Sequence, residues 1–233
     1  MKRKIELFMI LFLLMGAIVA SWKLSELTAN VSKEEKKDQV VIVVDPGHGG
    51  EDPGKVGIND VLEKDLNLQI AKKVKKLLEE AGIKIVMTRT NDKVPDAKKE
   101  DLNQRVQLIN ETKPTLALCI HQNSYPDEKI KGAQVFYHTI TPEAEDVATI
   151  VQEQLRTVDP TNTRQIKEND TYFMLKNCQV PTIIVECGFL TNPEEAAKLT
   201  QEEYQDQIAQ AICDGVAKWF SGDVEGETES GQE

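Results

Sequence analysis

The stretch Gln39–Gly54, QVVIVVDPGHGGEDPG, decides how the rest of the chain reads. Five β-branched apolar residues, Val40 to Val44, run without a polar interruption. That is the pattern of a strand buried on both faces, as in a parallel sheet. Asp45 and Pro46 end the run, and a glycine-rich loop then carries His48. Glycine admits positive φ and close approach, and loops at strand ends are where α/β sheets gather functional groups. Taken alone, a histidine on such a loop is better explained as part of a surface turn.

Working outward, a helix is predicted over Val61–Ala81, with Leu62, Leu66, Ile70, Val74 and Leu77 or Leu78 forming one apolar stripe. Gly82 stops it. Ile83–Arg89 reads as a strand, Asn91–Lys99 as a polar loop and Asp101–Thr112 as a short helix ended by Pro114. A third apolar strand, Thr115–Ile120, leads directly into His121. Ala133–His138 reads as a strand, and Pro142–Thr157 as a helix with Thr141 at its N-cap. Asp159–Asp170 reads as a polar loop and Tyr172–Asn177 as a helical turn. The last buried strand, Thr182–Cys187, carries Glu186. Asn192-Pro193-Glu194-Glu195 has the order of a helix start, and a final helix is expected over Gln205–Phe220. Strands alternating with helices predict a single α/β domain with a mostly parallel or mixed central sheet flanked by helices on both faces.

Length and charge bound the function. The chain has 233 residues and a net charge of −11, enough for one domain with its own core and disfavouring a nucleic-acid partner. Lys2, Arg3 and Lys4 precede an apolar run from Leu7 to Ala20. Residues 1–21 therefore read as a signal peptide or a signal anchor, the run being short against the roughly 20 residues of a membrane span. Either alternative places the domain outside the cytoplasm, exported or anchored to the membrane through the N-terminus. Residues 22–38 read as a charged linker, 39–220 as the domain and 221–233 as an acidic, disordered tail. Of Cys119, Cys178, Cys187 and Cys213, the first and third sit in apolar strand runs and read as packed thiols. The disulfide state of the four is open at this level.

Three strand ends bring forward His48, His121 and Glu186, and the first helix opens with Glu63. Each has an ordinary explanation: a turn, a strand-end imidazole bonded to a carbonyl, a carboxylate at a helix N-terminus. Glu186 is the hardest to explain so, because a carboxylate inside TIIVECGF is costly to bury unpaired. Two imidazoles and a carboxylate are a known set for a catalytic zinc, with a second carboxylate as general base. The four are far apart in sequence and no short zinc motif joins them, so on residues alone a zinc site and four structural side chains stand equal. A phosphate-binding reading of the glycine-rich loop fails: G-x-G-x-x-G needs glycine where Asp52 stands, and Glu51 and Asp52 repel phosphate.

VVIVVDPGHGGEDPG, VLEKDLNLQIA, IVMTR, LCIHQNS and VPTIIVECGFLTNPEE together resemble, in order, the zinc-dependent N-acetylmuramoyl-L-alanine amidases of the Amidase_3 type, over about Val40–Phe220. The resemblance implies a zinc-exopeptidase-like architecture, zinc held by His48, Glu63 and His121, and Glu186 as the catalytic proton acceptor and donor. It implies peptidoglycan as substrate, cut between N-acetylmuramic acid and L-alanine. The short single domain and ECGFLTN are most similar to the spore-cortex members of the family, which implies a role in cortex maturation with muramic-δ-lactam formation. Asn123 is either a substrate contact or a turn residue. His138 and Cys119 are expected not to be ligands. No occluding helical insertion is expected between His138 and Tyr172, so control would fall to location, timing or an extracytoplasmic accessory protein. The competing reading is a non-catalytic peptidoglycan-binding protein that keeps the fold.

Overall fold

Val41–Pro46 forms strand β1, whose residues from Ile42 onward are all buried, as the unbroken β-branched run predicts. A computed structural model of the chain describes residue 23, residues 40–139 and residues 141–222. The leader and most of the linker and acidic tail assigned from sequence lie outside the described residues. Among the described residues, no helix is long and apolar enough to cross a membrane.

The remaining strands are β2 (Lys84–Met87), β3 (Leu116–Asn123), β4 (Gln134–Tyr137), β5 (Lys167–Glu168) and β6 (Thr182–Phe189). They form one six-stranded sheet in the order β2-β1-β3-β6-β4-β5. β2, β1, β3 and β6 run parallel, and β4 joins β6 antiparallel, which makes the sheet mixed. The helices are α1 (Glu63–Glu80), α2 (Lys98–Thr112), α3 (Pro142–Val158), α4 (Phe173–Asn177), α5 (Pro193–Leu199) and α6 (Glu202–Ser221).

Strand alternation divides the core. Leu116, Leu118 and Ile120 pack with Leu66 and Ile70 of α1, Val147 and Val151 of α3 and Ile212 of α6. Ala117 and Cys119 face the other way, toward Ile109 of α2 and Met174 and Leu175 of α4. Successive residues of a strand point to opposite faces, so helices cover both faces as expected. The same parity puts His121 and Glu186 on the thinner, α2/α4 face, at the C-terminal edge of the parallel strands.

Several boundaries differ from the sequence reading. β3 and β6 continue past Ile120 and Cys187, because His121 pairs with Glu186 and Asn123 with Phe189 across the ladder. β5 arises within a polar segment, where the exposed Lys167 and Glu168 pair with Phe136 and Tyr137. α2 begins at Lys98, a turn early, inside the segment read as loop, and α1 begins at Glu63 with Leu62 as its N-cap. α6 starts at Glu202 rather than Gln205. Thr141 precedes α3 but makes no side-chain cap bond. Asn192 caps α5 as expected, its Oδ1 accepting from the amides of Glu194 and Glu195 at 3.1 and 3.0 Å. All four cysteines are buried and free.

Candidate active site

Three elements meet at the C-terminal edge of the sheet: the β1–α1 loop, the start of α1 and the end of β3. His48 sits at φ 61°, in the left-handed region. Its conformation is held from behind by two buried arginines. Arg105 of α2 donates to the carbonyls of Pro46 and His48, both at 2.7 Å. Arg89 donates to those of Pro46 and Gly47 at 2.8 and 3.0 Å. Arg105 is itself neutralised by Asp45 and Asp101, each 2.9 Å away. Burial would raise the Asp45 carboxyl, but Arg105, Thr88 and His121 together hold it below its usual range. Gly47 admits no side chain, because a Cβ there would collide with the His121 ring.

Removing one partner of a buried ion pair strands the other charge and costs about 3–5 kcal/mol. Arg105→Leu leaves Asp45 buried and unpaired and releases the carbonyls beneath His48. A fall in unfolding free energy of that order is expected in denaturant titration, and an unchanged midpoint would show that the clamp contributes nothing.

Glu63 is the hub of the cluster and is 4% exposed. Its Oε1 lies 3.0 Å from Nδ1 of His121 and 3.2 Å from Nε2 of His48. The same oxygen accepts the amide of Gln122 at 3.1 Å, and Oε2 accepts that of Lys55 at 2.8 Å. The Gln122 amide is available because the β3–β6 register shifts between His121 and Asn123, an irregularity of the kind that re-aims groups beside active sites. Asn67, fully buried one turn along α1, donates to Glu63 and to the carbonyl of Gly47. Burial would raise the Glu63 carboxyl, but the hydrogen bonds and charges of His121 and His48 hold it well below its usual range. Burial would likewise lower His121, yet Glu63, Glu186 and Asp45 raise it above the usual imidazole value.

Asp52, absent from the sequence reading as a site residue, accepts from Nδ1 of His48 at 2.9 Å. Lys98 lies 2.8 Å from the same carboxylate. Burial works against its ionisation, but Lys98 and His48 bring the Asp52 pKa down to about 2. An ionised Asp52 keeps the proton on Nδ1, leaving the Nε2 lone pair of His48 directed at Glu63. One atom each from His48, Glu63 and His121 lies within 4.8 Å of the others. With neutral imidazoles these are crowded acceptors that a divalent cation would satisfy. Nitrogen and carboxylate donors of this kind suit zinc and leave room for a further ligand.

Glu186 stands beside His121 in the β3–β6 ladder. Its Oε2 is buried without a hydrogen-bond partner among the described residues. Burial pushes its pKa up to about 7, against the lowering charge of His121. Buried polar atoms are nearly always satisfied, and a perturbed carboxyl in a cleft marks a candidate functional group. All four side chains named from sequence thus line one cavity of about 470 Å³. Its walls include Leu102, Tyr172, Phe173 and Met174, and no described residue from 139 to 171 contributes.

Asn123 lines the cavity but spends its Oδ1 on the Ser124 amide at 2.8 Å. His138 and Cys119 are not part of the metal-competent cluster. Burial first, then Asp45, pushes the Cys119 thiol well above its usual pKa, which keeps it neutral and a poor ligand. Cys119→Ser and His138→Ala should each retain bound zinc at the parent stoichiometry by metal analysis. Loss of metal from either folded variant would reassign the site.

A histidine–glutamate–histidine set with a free carboxylate beside it, at the carboxyl edge of a mostly parallel sheet, is an arrangement that metal-assisted hydrolases use. Comparison narrows the class: the Amidase_3 model, N-acetylmuramoyl-L-alanine amidase, matches residues 42–218. The chain belongs to this family and is an enzyme of the N-acetylmuramoyl-L-alanine amidase type. It is 40% identical over 190 residues to the germination-specific N-acetylmuramoyl-L-alanine amidase of Bacillus subtilis, covering 78% of this chain and 80% of that one. Among solved structures it is similar to the CwlD amidase of Clostridioides difficile in complex with the GerS lipoprotein, with a TM-score of 0.76 and 35% identity, covering 79% of this chain and all of that one. An N-acetylmuramoyl-L-alanine amidase from Clostridium difficile 630 gives a TM-score of 0.73 at 33% identity, covering 82% of this chain and all of that one.

Proposed function

We propose that this enzyme is a zinc amidase that cuts the bond between N-acetylmuramic acid and L-alanine in peptidoglycan. In this reading His48, Glu63 and His121 hold the metal. When bound there, zinc supplies Lewis-acid polarisation of the amide carbonyl and makes water a better nucleophile. Glu186 accepts the proton of the attacking water on its free oxygen and delivers it to the nitrogen of L-alanine as that amine leaves. Asp52 holds the His48 tautomer, and the arginine clamp holds the loop. The supporting observation is the unpartnered, buried Oε2 of Glu186 beside the cluster, which a merely structural or peptidoglycan-binding role leaves unexplained.

By likeness to the germination-specific relative, we assign the enzyme to spore cortex maturation, in which the stripped muramic acid goes on to the δ-lactam. Residues 1–21 would export or anchor the domain (39–220), 22–38 would tether it and 221–233 would trail from it. The CwlD structure contains a lipoprotein, so an extracytoplasmic accessory protein is a fitting partner. Metal analysis of the purified protein, combined with release of L-alanine amino groups from peptidoglycan, tests the core of this reading. A zinc-loaded protein that releases none would overturn it.

A further inference from the structure

The loops that follow His48 and precede β4 meet beside the site in a second groove of about 400 Å³, lined by Lys55, Ile58, Ser124, Tyr125, Glu128 and Thr191. Ser124 lines both this groove and the site cavity, so the two adjoin at that residue. The backbone of Lys55 already reaches the site, its amide bonding to Glu63. Ile58 is 48% exposed and Tyr125 54%. Neither is loosely held: the Ile58 amide donates to the carbonyl of Leu190 at 3.1 Å, and the Tyr125 amide to the Thr191 hydroxyl at 3.0 Å. A rigid backbone that holds apolar side chains in water beside a cleft is the usual form of a binding surface.

We propose that this groove binds the peptide running on from the L-alanine, making Ile58, Tyr125 and Lys55 the residues that select for stem length and charge. The inference rests on the amidase reading above and deepens it. The scissile amide joins a neutral amino sugar to a peptide bearing free carboxylates and amines, so the two arms of the cleft must differ in charge. Within the site cavity Lys98 and Asp101 are spent on Asp52 and Arg105, and the lining includes Tyr172 and Phe173, suited to the face of a sugar. In the groove, the Lys55 ammonium has no ion-pair or hydrogen-bond partner among the described residues, and Glu128 supplies the opposite charge nearby. That arrangement fits a zwitterionic peptide. Binding remote substrate parts in this way lets a long stem contribute to orientation at the reacting bond.

The test compares kcat/KM on a muropeptide with a complete stem against N-acetylmuramoyl-L-alanine alone, for the parent, Tyr125→Ala and Lys55→Met. The ratio of long-stem to short-stem kcat/KM should fall about tenfold in each variant, through KM. A change in metal placement or folding would move both substrates together and leave the ratio intact, and that result overturns the proposal. Calorimetric binding of the free stem peptide gives a readout independent of turnover: weaker binding by both variants supports the groove, and equal binding by parent and variants overturns it. Should the zinc-loaded parent cleave neither substrate, the amidase reading fails, while the calorimetry still decides the groove.

Discussion

Glu186→Gln is expected to keep the fold and the zinc while losing about 10²–10⁴-fold in turnover, the usual cost of removing a general base. The amide is nearly isosteric with the carboxylate but accepts no proton. Its neighbours along β6, Val185 and Cys187, are packed apolar residues, and its cross-strand partner His121 keeps its hydrogen bond to Glu63. Metal content measured alongside amide hydrolysis separates the two properties. Parent-level hydrolysis by the variant would end the proposed mechanism, and loss of zinc would make Glu186 a ligand.

The same residue makes a stability prediction. In the metal-free protein the Glu186 pKa is raised to about 7 from 4.5. The folded state therefore holds the proton more tightly than the unfolded chain, and stability falls as pH rises from 4.5 to about 7. Above that window the cost is on the order of 3 kcal/mol. Glu186→Gln should accordingly raise the Tm of the metal-free protein at pH 8 and do so much less at pH 5. Zinc favours the ionised carboxylate, so the gain should shrink in the metal-loaded enzyme. An equal gain at both pH values would show that burial of Glu186 is not what the stability responds to.

Glu63→Gln should act on the metal instead. Glu63 holds the two imidazoles in register through one oxygen and receives three further donors through its carboxylate. Loss of residues that merely support ligands costs 10–100-fold in metal affinity, so loss of a ligand charge is expected to cost at least about 100-fold in chelator competition. Binding in the parent should also weaken with acid, because ligation needs neutral imidazole. The His121 pKa lies above 6.5 in the metal-free protein, so competition by protons begins above that pH and grows as pH falls. If Glu63→Gln bound zinc like the parent while Glu186→Gln did not, the two glutamates would exchange roles.

The strand runs, the helix stripes and the order of motifs were legible because they are carried by residues near one another in the chain. Apolar periodicity marks what must leave water, and a charged or glycine-rich break marks where a buried strand ends. His48 follows such a break, His121 and Glu186 lie near the ends of buried strands and Glu63 opens the first helix, and the family resemblance tied them together. The partnerships behind the site were not legible. Arg105 meets Asp45 across 60 positions and Arg89 meets Pro46 across 43, and such pairings depend on which strand lies beside which. Asp52 was read only as a charge repelling phosphate, until the positive-φ turn at His48 brought the imidazole back onto it. β5 and the early start of α2 carry no apolar signal, since pairing with β4 and contact with Asp52 hold them. The sequence by itself determined the layered α/β fold and the residue types at the sheet edge, because burial acts through local pattern. Only the tertiary structure decided which ring nitrogen faces the Glu63 carboxylate, which carboxylate is spent and which is left free, because each depends on a hydrogen bond between distant segments.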